Sequence, residues 1–309
     1  MPRLVVIGAV LAATALTACG GGGGGASQAT RAPTSSTSAT ALTSSTTPAT
    51  TTATVPAGER VESGFVAFGD FGGGAGQYAV ASAMTKWAIS HRVDALVTVG
   101  DNVYPTGEPS LYASELDAPY KSLRAGRPMW VTLGNHDVGA GHGAEMLAHL
   151  GLPPLPYVKS LPNVQFLFVD ANHPDAAQAG WLDAELAKPG PPFRVVVFHQ
   201  PAWSCGLHGS TPDVDRLWVP VFEKHRVALV LSGHDHDYER FTSAAGVTYV
   251  VTGGGGQDLY PLMPCSGTPQ ENAKAQVHHF TGVEVTTHSV TLTAVAADGS
   301  VIDRAVLTR

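Results

Sequence analysis

The sequence predicts an α/β fold: a mixed sheet, helices outside it, and a β-rich C-terminal end. Three observations point that way. Seven short apolar runs, rich in Val and Phe and mostly without strict alternation, read as strands buried on both faces. Segments with helical spacing separate several of them. The last stretch, FTGVEVTTHSVTLTAVAADGSVIDRAVLTR, alternates more and carries Asp298-Gly299, a hairpin turn signal.

In chain order the runs are FVAFGD (65–70), ALVTVGD (95–101), MWVTLGNHD (129–137), NVQFLFVDAN (163–172), FRVVVFHQ (193–200), VALVLSGHD (227–235) and GVTYVVTGG (246–254). After the first, Val80, Met84, Trp87 and Ala88 recur at helical spacing. Leu182 and Leu186 do so after Pro174-Asp175. Val214, Leu217, Trp218, Val221 and Phe222 make a third stripe, in which Pro220 predicts a kink or the true helix start. The Met and Trp residues of these stripes read as core, not as cofactor contacts.

The chain before the first run is different. Residues 1–18, MPRLVVIGAVLAATALTA, hold one basic residue and then an uncharged, mostly apolar stretch. That stretch is shorter than the ~20 residues a membrane-spanning helix needs, and it fits a signal-peptide core. It ends in Leu16-Thr17-Ala18-Cys19, which resembles the lipobox of bacterial lipoproteins. The resemblance implies cleavage before Cys19, lipidation of its thiol, and a place on the outer face of the cell membrane. A plain secretory signal is the alternative. Residues 19–58 continue as six glycines and a Ser/Thr/Ala/Pro tract with almost no charge and no aromatic residue. Such a segment cannot bury enough apolar surface to offset its ordering entropy, so it reads as a flexible tether. The globular part is expected over 60–309, about 250 residues, which suits one large α/β domain.

The formal net charge is −7 and there is no basic run, which argues against a nucleic-acid groove. With Cys19 assigned to lipid, Cys205 and Cys265 remain. In an exported chain such a pair reads as a disulfide, with two unpaired buried thiols as the alternative.

Five of the apolar runs end in residues that bind hard or borderline cations. They give Gly69-Asp70, Gly100-Asp101-Asn102-Val103-Tyr104, Gly134-Asn135-His136-Asp137, His199, and His234 with His236. Sites of open α/β sheets assemble at the carboxyl ends of strands. A glycine before the ligand lets the backbone turn sharply and approach closely. Two Asp, one Asn, three His and one Tyr are too many donors for one tetrahedral zinc. They are enough for two ions if one carboxylate bridges, and a two-ion clamp suits in-line displacement at phosphorus. Oxygen and nitrogen donors without thiolate suit Fe, Mn or Zn. A Gly-Asp dipeptide alone is often only a turn, and a lone His is often a core histidine. His-x-His is stronger, since both rings can face one side of a strand.

The ordered set GDxG, GDxxY, GNHD, VxxH and GHxHxYER resembles the purple acid phosphatases, small single-domain type, within the calcineurin-like metallophosphoesterases. It spans about residues 65–240. Most relatives of that superfamily begin with Asp-x-His; here Phe71-Gly72 follows Asp70, and the resemblance implies that Tyr104 supplies the missing ligand. The resemblance implies a four-layer α/β/β/α sandwich with mixed sheets. It implies one metal on Asp70, Asp101, Tyr104 and His236, and a second on Asp101, Asn135, His199 and His234. It implies Fe(III) in the first site and Fe(II), Zn(II) or Mn(II) in the second. The activity implied is hydrolysis of small phosphate monoesters by metal-bound hydroxide, at acid pH, with membrane contact only through the lipid anchor.

His136, beside Asn135, is then the candidate proton donor to the leaving group, with Asp137 to orient it. His208 is a further candidate, since plant members carry substrate histidines at a similar offset from the VxxH motif. Their second adjacent histidine is Gly209 here. A Cys205–Cys265 bridge would pin two loops of the site together. Tyr238, Glu239 and Arg240 read as support, and Gly253 to Gly256 could line the site. The remaining histidines, including His279, read as surface or core. A phosphodiesterase or nucleotidase on the same metal centre is the near alternative. A non-hydrolytic iron-binding surface lipoprotein is the distant one, and His136 argues against it.

Overall fold

A computed structural model describes residues 58–308. The expected signal peptide, Cys19 and nearly all of the tether lie outside these residues. Two mixed sheets form the domain. The first has the strand order β13-β12-β11-β1-β2-β3 and the second β10-β8-β9-β7-β6-β5-β4. The sequence reading foresaw seven apolar strands and a β-rich end. These are β1 (Ser63–Phe68), β2 (Ala95–Thr98), β3 (Met129–Val131), β5 (Val164–Phe168), β6 (Phe193–Val197), β7 (Leu229–Ser232), β9 (Thr248–Thr252), β11 (His279–Val285), β12 (Ser289–Ala296) and β13 (Val301–Thr308). β1, β2 and β3 pair in parallel, as do β5, β6, β7 and β9.

Three strands had no such signal: β4 (Tyr157–Leu161), β8 (Tyr238–Thr242) and β10 (Gln270–Ala275). β4 and β10 are the two edges of the second sheet. Residues of β10 alternate between exposed and half-buried and include no large apolar side chain. Such a strand is held by backbone pairing with β8, and apolar periodicity does not report it.

The strands of the second sheet divide their side chains between two cores. Val195, Val197, Leu229 and Leu231 face the first sheet with Phe166 and Phe168. Val196, Phe198 and Val230 face outward, against Leu182 and Leu186 of α4 (Ala176–Leu186) and Val214, Trp218 and Phe222 of α5 (Pro212–Lys224). That division explains why the runs are continuously apolar rather than alternating. On the other side, α1 (Ala75–Ser90) packs against β11 and β12, with the Trp87 indole over Gly282. The result is the four-layer α/β/β/α arrangement. Pro220 lies inside α5, whose start is set by Pro212 at the first position, so it does not mark the helix start.

Candidate metal centre

β1, β2 and β3 are neighbours in the first sheet, and β6 and β7 are neighbours in the second. All five are followed at once by the candidate ligands, so the facing sheets deliver them to one place. The short helix α2 (Asn135–Val138), with α3 (Gly143–His149) next in the chain, carries Asn135 and His136 there.

The geometry centres on Asp101, which is fully buried. Its Oδ2 lies 3.2 Å from His199 Nε2 and 3.2 Å from the Tyr104 hydroxyl. The Tyr104 hydroxyl is also 3.2 Å from His236 Nε2. His199 Nε2 is 3.1 Å from Asn135 Oδ1 and 4.0 Å from Asp70 Oδ1, and His236 Nε2 is 3.7 Å from that same Asp70 oxygen. Donor atoms of Asp101, His199 and His234 fall within 4.8 Å of one another. The seven candidates are therefore one cluster.

Backbone groups aim the side chains. His199 Nδ1 donates to the Val99 carbonyl at 2.9 Å, and His236 Nδ1 donates to the Asp258 carbonyl at 2.6 Å. A carbonyl can only accept, so Nδ1 carries a proton in both rings and Nε2 is the nitrogen turned to the centre, the arrangement that ligating histidines use. The His234 N–H donates to both Asp70 oxygens, and the His136 N–H to Asp101 Oδ1. Asp70, Asp101 and His234 all sit at positive φ, at 56°, 49° and 73°. Strained backbone of this kind collects at functional sites. Gly100, at φ 98°, could not be replaced, because a Cβ there would lie 2.6 Å from His199 Nδ1. A Cβ on Gly134 would enter the Asp101 carboxylate.

The electrostatics call for a cation. Burial drives the Asp70 carboxyl well above its usual range, although His199 opposes this. Burial also raises Asp101, but the charge and hydrogen bond of His199 prevail and hold it at about 2. Burial lowers His199, and Asp101 and Asp70 overcome that, raising it to about 10. Burial, then the His199 charge, pushes His234 down to about 3. Burial, with Asp70 and Asp101, keeps the Tyr104 phenol neutral far above its ordinary range. One imidazolium thus faces two buried carboxylates and a phenol that needs positive charge to ionise. Oxygen and imidazole donors with no thiolate fit two hard or borderline ions.

His136 stands at the rim, 36% exposed on its side chain, with Nε2 3.9 Å from Asp101 Oδ2. Asp137 does not orient it. That carboxylate accepts from the backbone N–H groups of Asn102, Val103 and Gly134 and from Asn102 Nδ2, so it braces the Asp101–Tyr104 loop. The Pro105 carbonyl orients His136 instead, accepting from Nδ1 at 2.6 Å. His208 reaches the site, its ring stacked on His234 at 4.2 Å. Cys205 and Cys265 are bonded, with Cα atoms 5.0 Å apart.

Tyr260 was not foreseen. Its ring stacks on His236 at 3.9 Å and meets His208 edge-on at 5.2 Å, and its N–H donates to the His236 carbonyl. No motif or periodicity surrounds it; the nearby Cys265 was the only hint. Tyr238 and Arg240 turn away to Asp303, and Glu239 accepts from Ser204 and the Cys205 N–H. The Gly253–Gly256 run braces the Asp70 loop, through Gly255 N–H to the Gly69 carbonyl. His279 is a core histidine, paired with Thr252 and the Val277 carbonyl.

Comparison with known proteins agrees with this geometry. The family profile for Calcineurin-like phosphoesterase matches residues 64–238. Tartrate-resistant acid phosphatase type 5 of Mus musculus is 25% identical over 300 residues, 79% of this chain and 90% of that protein. Purple acid phosphatase 7 of Arabidopsis thaliana is 27% identical over 228 residues, 62% of this chain and 69% of that protein. Among solved structures, purple acid phosphatase from yellow lupin seeds (Lupinus luteus) superposes with a TM-score of 0.69 at 18% identity, covering 80% of this chain and 54% of that one. GAP50, the anchor in the inner membrane complex of Plasmodium, superposes with 0.68 at 18% identity, covering 81% and 89%. The chain belongs to the calcineurin-like phosphoesterases. Within them it is of the purple acid phosphatase type, a hydrolase of phosphoesters.

Proposed function

We propose that the protein is a dinuclear-metal acid phosphatase acting on phosphate monoesters. The observation that carries this is Asp101, whose one oxygen is 3.2 Å from donors on either side, His199 and Tyr104. Asp70, Asp101, Tyr104 and His236 would hold Fe(III). Asp101, Asn135, His199 and His234 would hold Fe(II), Zn(II) or Mn(II). When bound, such a pair offsets the double negative charge of the ester and acidifies water at the reacting phosphorus. His199 and His236, fixed by backbone carbonyls, His234, stacked under His208, and Asn135, at the start of its short helix, keep the site preorganised. His136 Nδ1–H donates a hydrogen bond to the Pro105 carbonyl, so the nitrogen left to hand over a proton is Nε2, the atom that faces the centre. That places it to protonate the departing alkoxide. His208, seated over His234, would contact the ester from the opposite wall.

Metal analysis and a visible spectrum of the purified protein, with phosphate release from a monoester and a diester, test this reading. Two ions per chain and faster monoester release are expected. Faster diester release would select the phosphodiesterase alternative. A neighbour named as an anchor shows that this fold also appears under a non-enzymatic description, but the complete donor set and His136 here favour hydrolysis.

We also propose that the chain is exported and lipidated on Cys19. The Cys205–Cys265 bond supports export, since such bonds persist in oxidising compartments. Radiolabelled palmitate should enter the wild-type chain and not Cys19→Ser; equal labelling of both would remove the anchor.

A further inference from the structure

We propose that Glu115 is a positioning residue for Tyr104: its carboxylate accepts the Tyr104 N–H and so sets where the phenol meets the first ion. This rests on the dinuclear reading above and adds to that site a residue that no motif marks.

Tyr104 is the candidate ligand that most needs placing. Its hydroxyl reaches Asp101 and His236 at once, each 3.2 Å away. Its ring is confined by Gly72, where a Cβ would lie 2.8 Å from Tyr104 Cδ2. Its backbone is confined by two carboxylates. The N–H groups of Asn102 and Val103 donate to Asp137, and the next one, on Tyr104, donates to Glu115 Oε2 at 3.2 Å. Asp137 thus braces the start of the loop, and Glu115 the end that carries the phenol.

Glu115 is itself held in place. It lies in a short π-helical segment, Tyr112–Asp117, closed by the Ala118 N–H on the Ala113 carbonyl. Segments of this kind are rare and collect at functional sites. Gln77 of α1, fully buried, donates from Nε2 to the Glu115 carbonyl and to the Tyr120 hydroxyl. Its Oε1 accepts the Gly73 N–H at 2.8 Å. A Cβ on Gly73 would lie 2.8 Å from Glu115 Oε1, so the carboxylate is seated between the loop of Asp70 and the loop of Tyr104. Burial raises this carboxyl, and the Tyr104 N–H is the group that pulls against the rise. Glu115 therefore serves the backbone of Tyr104 and not an ion pair. Partners that orient a ligand govern metal affinity, and losing one costs about 10- to 100-fold.

The test uses the full chain as purified with its metals. Glu115→Met keeps the length of the side chain and removes both acceptors, whereas Glu115→Gln keeps one. The visible tyrosinate band reports the first ion alone, and elemental analysis reports both. In Glu115→Met a chelator should bleach the band at roughly 10-fold lower concentration than in the wild type, with the second ion retained. Glu115→Gln should match the wild type. Independently of metal, amide hydrogen exchange in the peptide that spans Tyr104 should be faster in Glu115→Met and unchanged in Glu115→Gln. Bleaching of Glu115→Met at the wild-type concentration, or loss of both ions together, would overturn the proposal and leave the phosphatase reading intact. A Gln variant that behaves as the Met variant would overturn it too. Exchange at Tyr104 that depends on Glu115, in a wild type that shows no band, would instead remove the iron–tyrosinate assignment and leave the anchor standing.

Discussion

Tyr104 lies between Asp101 and His236, and its phenol stays neutral unless positive charge arrives. Its ionisation would therefore report a bound metal directly. Tyr104→Phe is expected to remove any visible absorption band of the metal-loaded protein while the fold persists; an unchanged band would place iron elsewhere. His136 is the other residue whose role separates cleanly. His136→Ala is expected to slow alkyl phosphates by roughly 100-fold and nitrophenyl phosphate by less than about 10-fold, because only a poor leaving group needs the proton. Equal loss on both esters would assign His136 to binding alone. At this scale the seven residues that cluster at Asp101 were legible, because each sits at the end of an apolar run where nothing else calls for polar chemistry. The partner of Asp137 was not. Adjacent side chains on a helical turn point in different directions, so sequence neighbourhood with His136 says nothing about contact.

At the scale of elements, each donor owes its position to a strand end and the turn that follows. The Gly-Asn and Gly-Asp pairs work by size as well as by φ. Gly134 has an ordinary φ of −93°, yet its neighbour across the turn is the Asp101 carboxylate. Gly134→Ala is expected to lower stability by about 1–3 kcal/mol through overpacking and to halve metal content or worse, read by thermal unfolding and elemental analysis. Full metal content in that variant would show that the turn can yield. Strands buried on both faces were legible from their composition. β4 and β10 were not, since edge strands need little apolar surface, and β8 was hidden inside the polar motif at 233–240.

At the scale of the whole molecule, function depends on two sheets meeting in one register. Asp303 of β13 in the first sheet accepts from Tyr238 and from Arg240 of β8 in the second, at 2.6 Å each, with a second Arg240 contact at 3.0 Å. Burial raises the Asp303 carboxyl, but the hydrogen bonds and charge of Arg240 and the Tyr238 bond outweigh it and set it below its usual range. A carboxyl lowered in the folded state stabilises above its unfolded pKa, and that stability fades as pH falls through the folded value. Asp303→Asn is expected to lose about 3 kcal/mol near neutral pH, since Arg240 is left buried without its partner. The difference from wild type should shrink below about pH 4, where the unfolded carboxyl takes up its proton. A pH-independent difference in denaturant titrations would show that packing, not the ion pair, ties the sheets.

The amino-acid sequence alone determined the strand ends, the donor chemistry, the family and the layer order. Each of these is written in local composition and in the order of short motifs. Tertiary structure alone decided that Asp137 braces a loop, that Pro105 orients His136, and that Tyr260 walls the site. These contacts join residues from separate loops, and loops carry no periodicity that reports which others they meet. Only the closure of two sheets on a shared core, with one disulfide across the rim, brings them together.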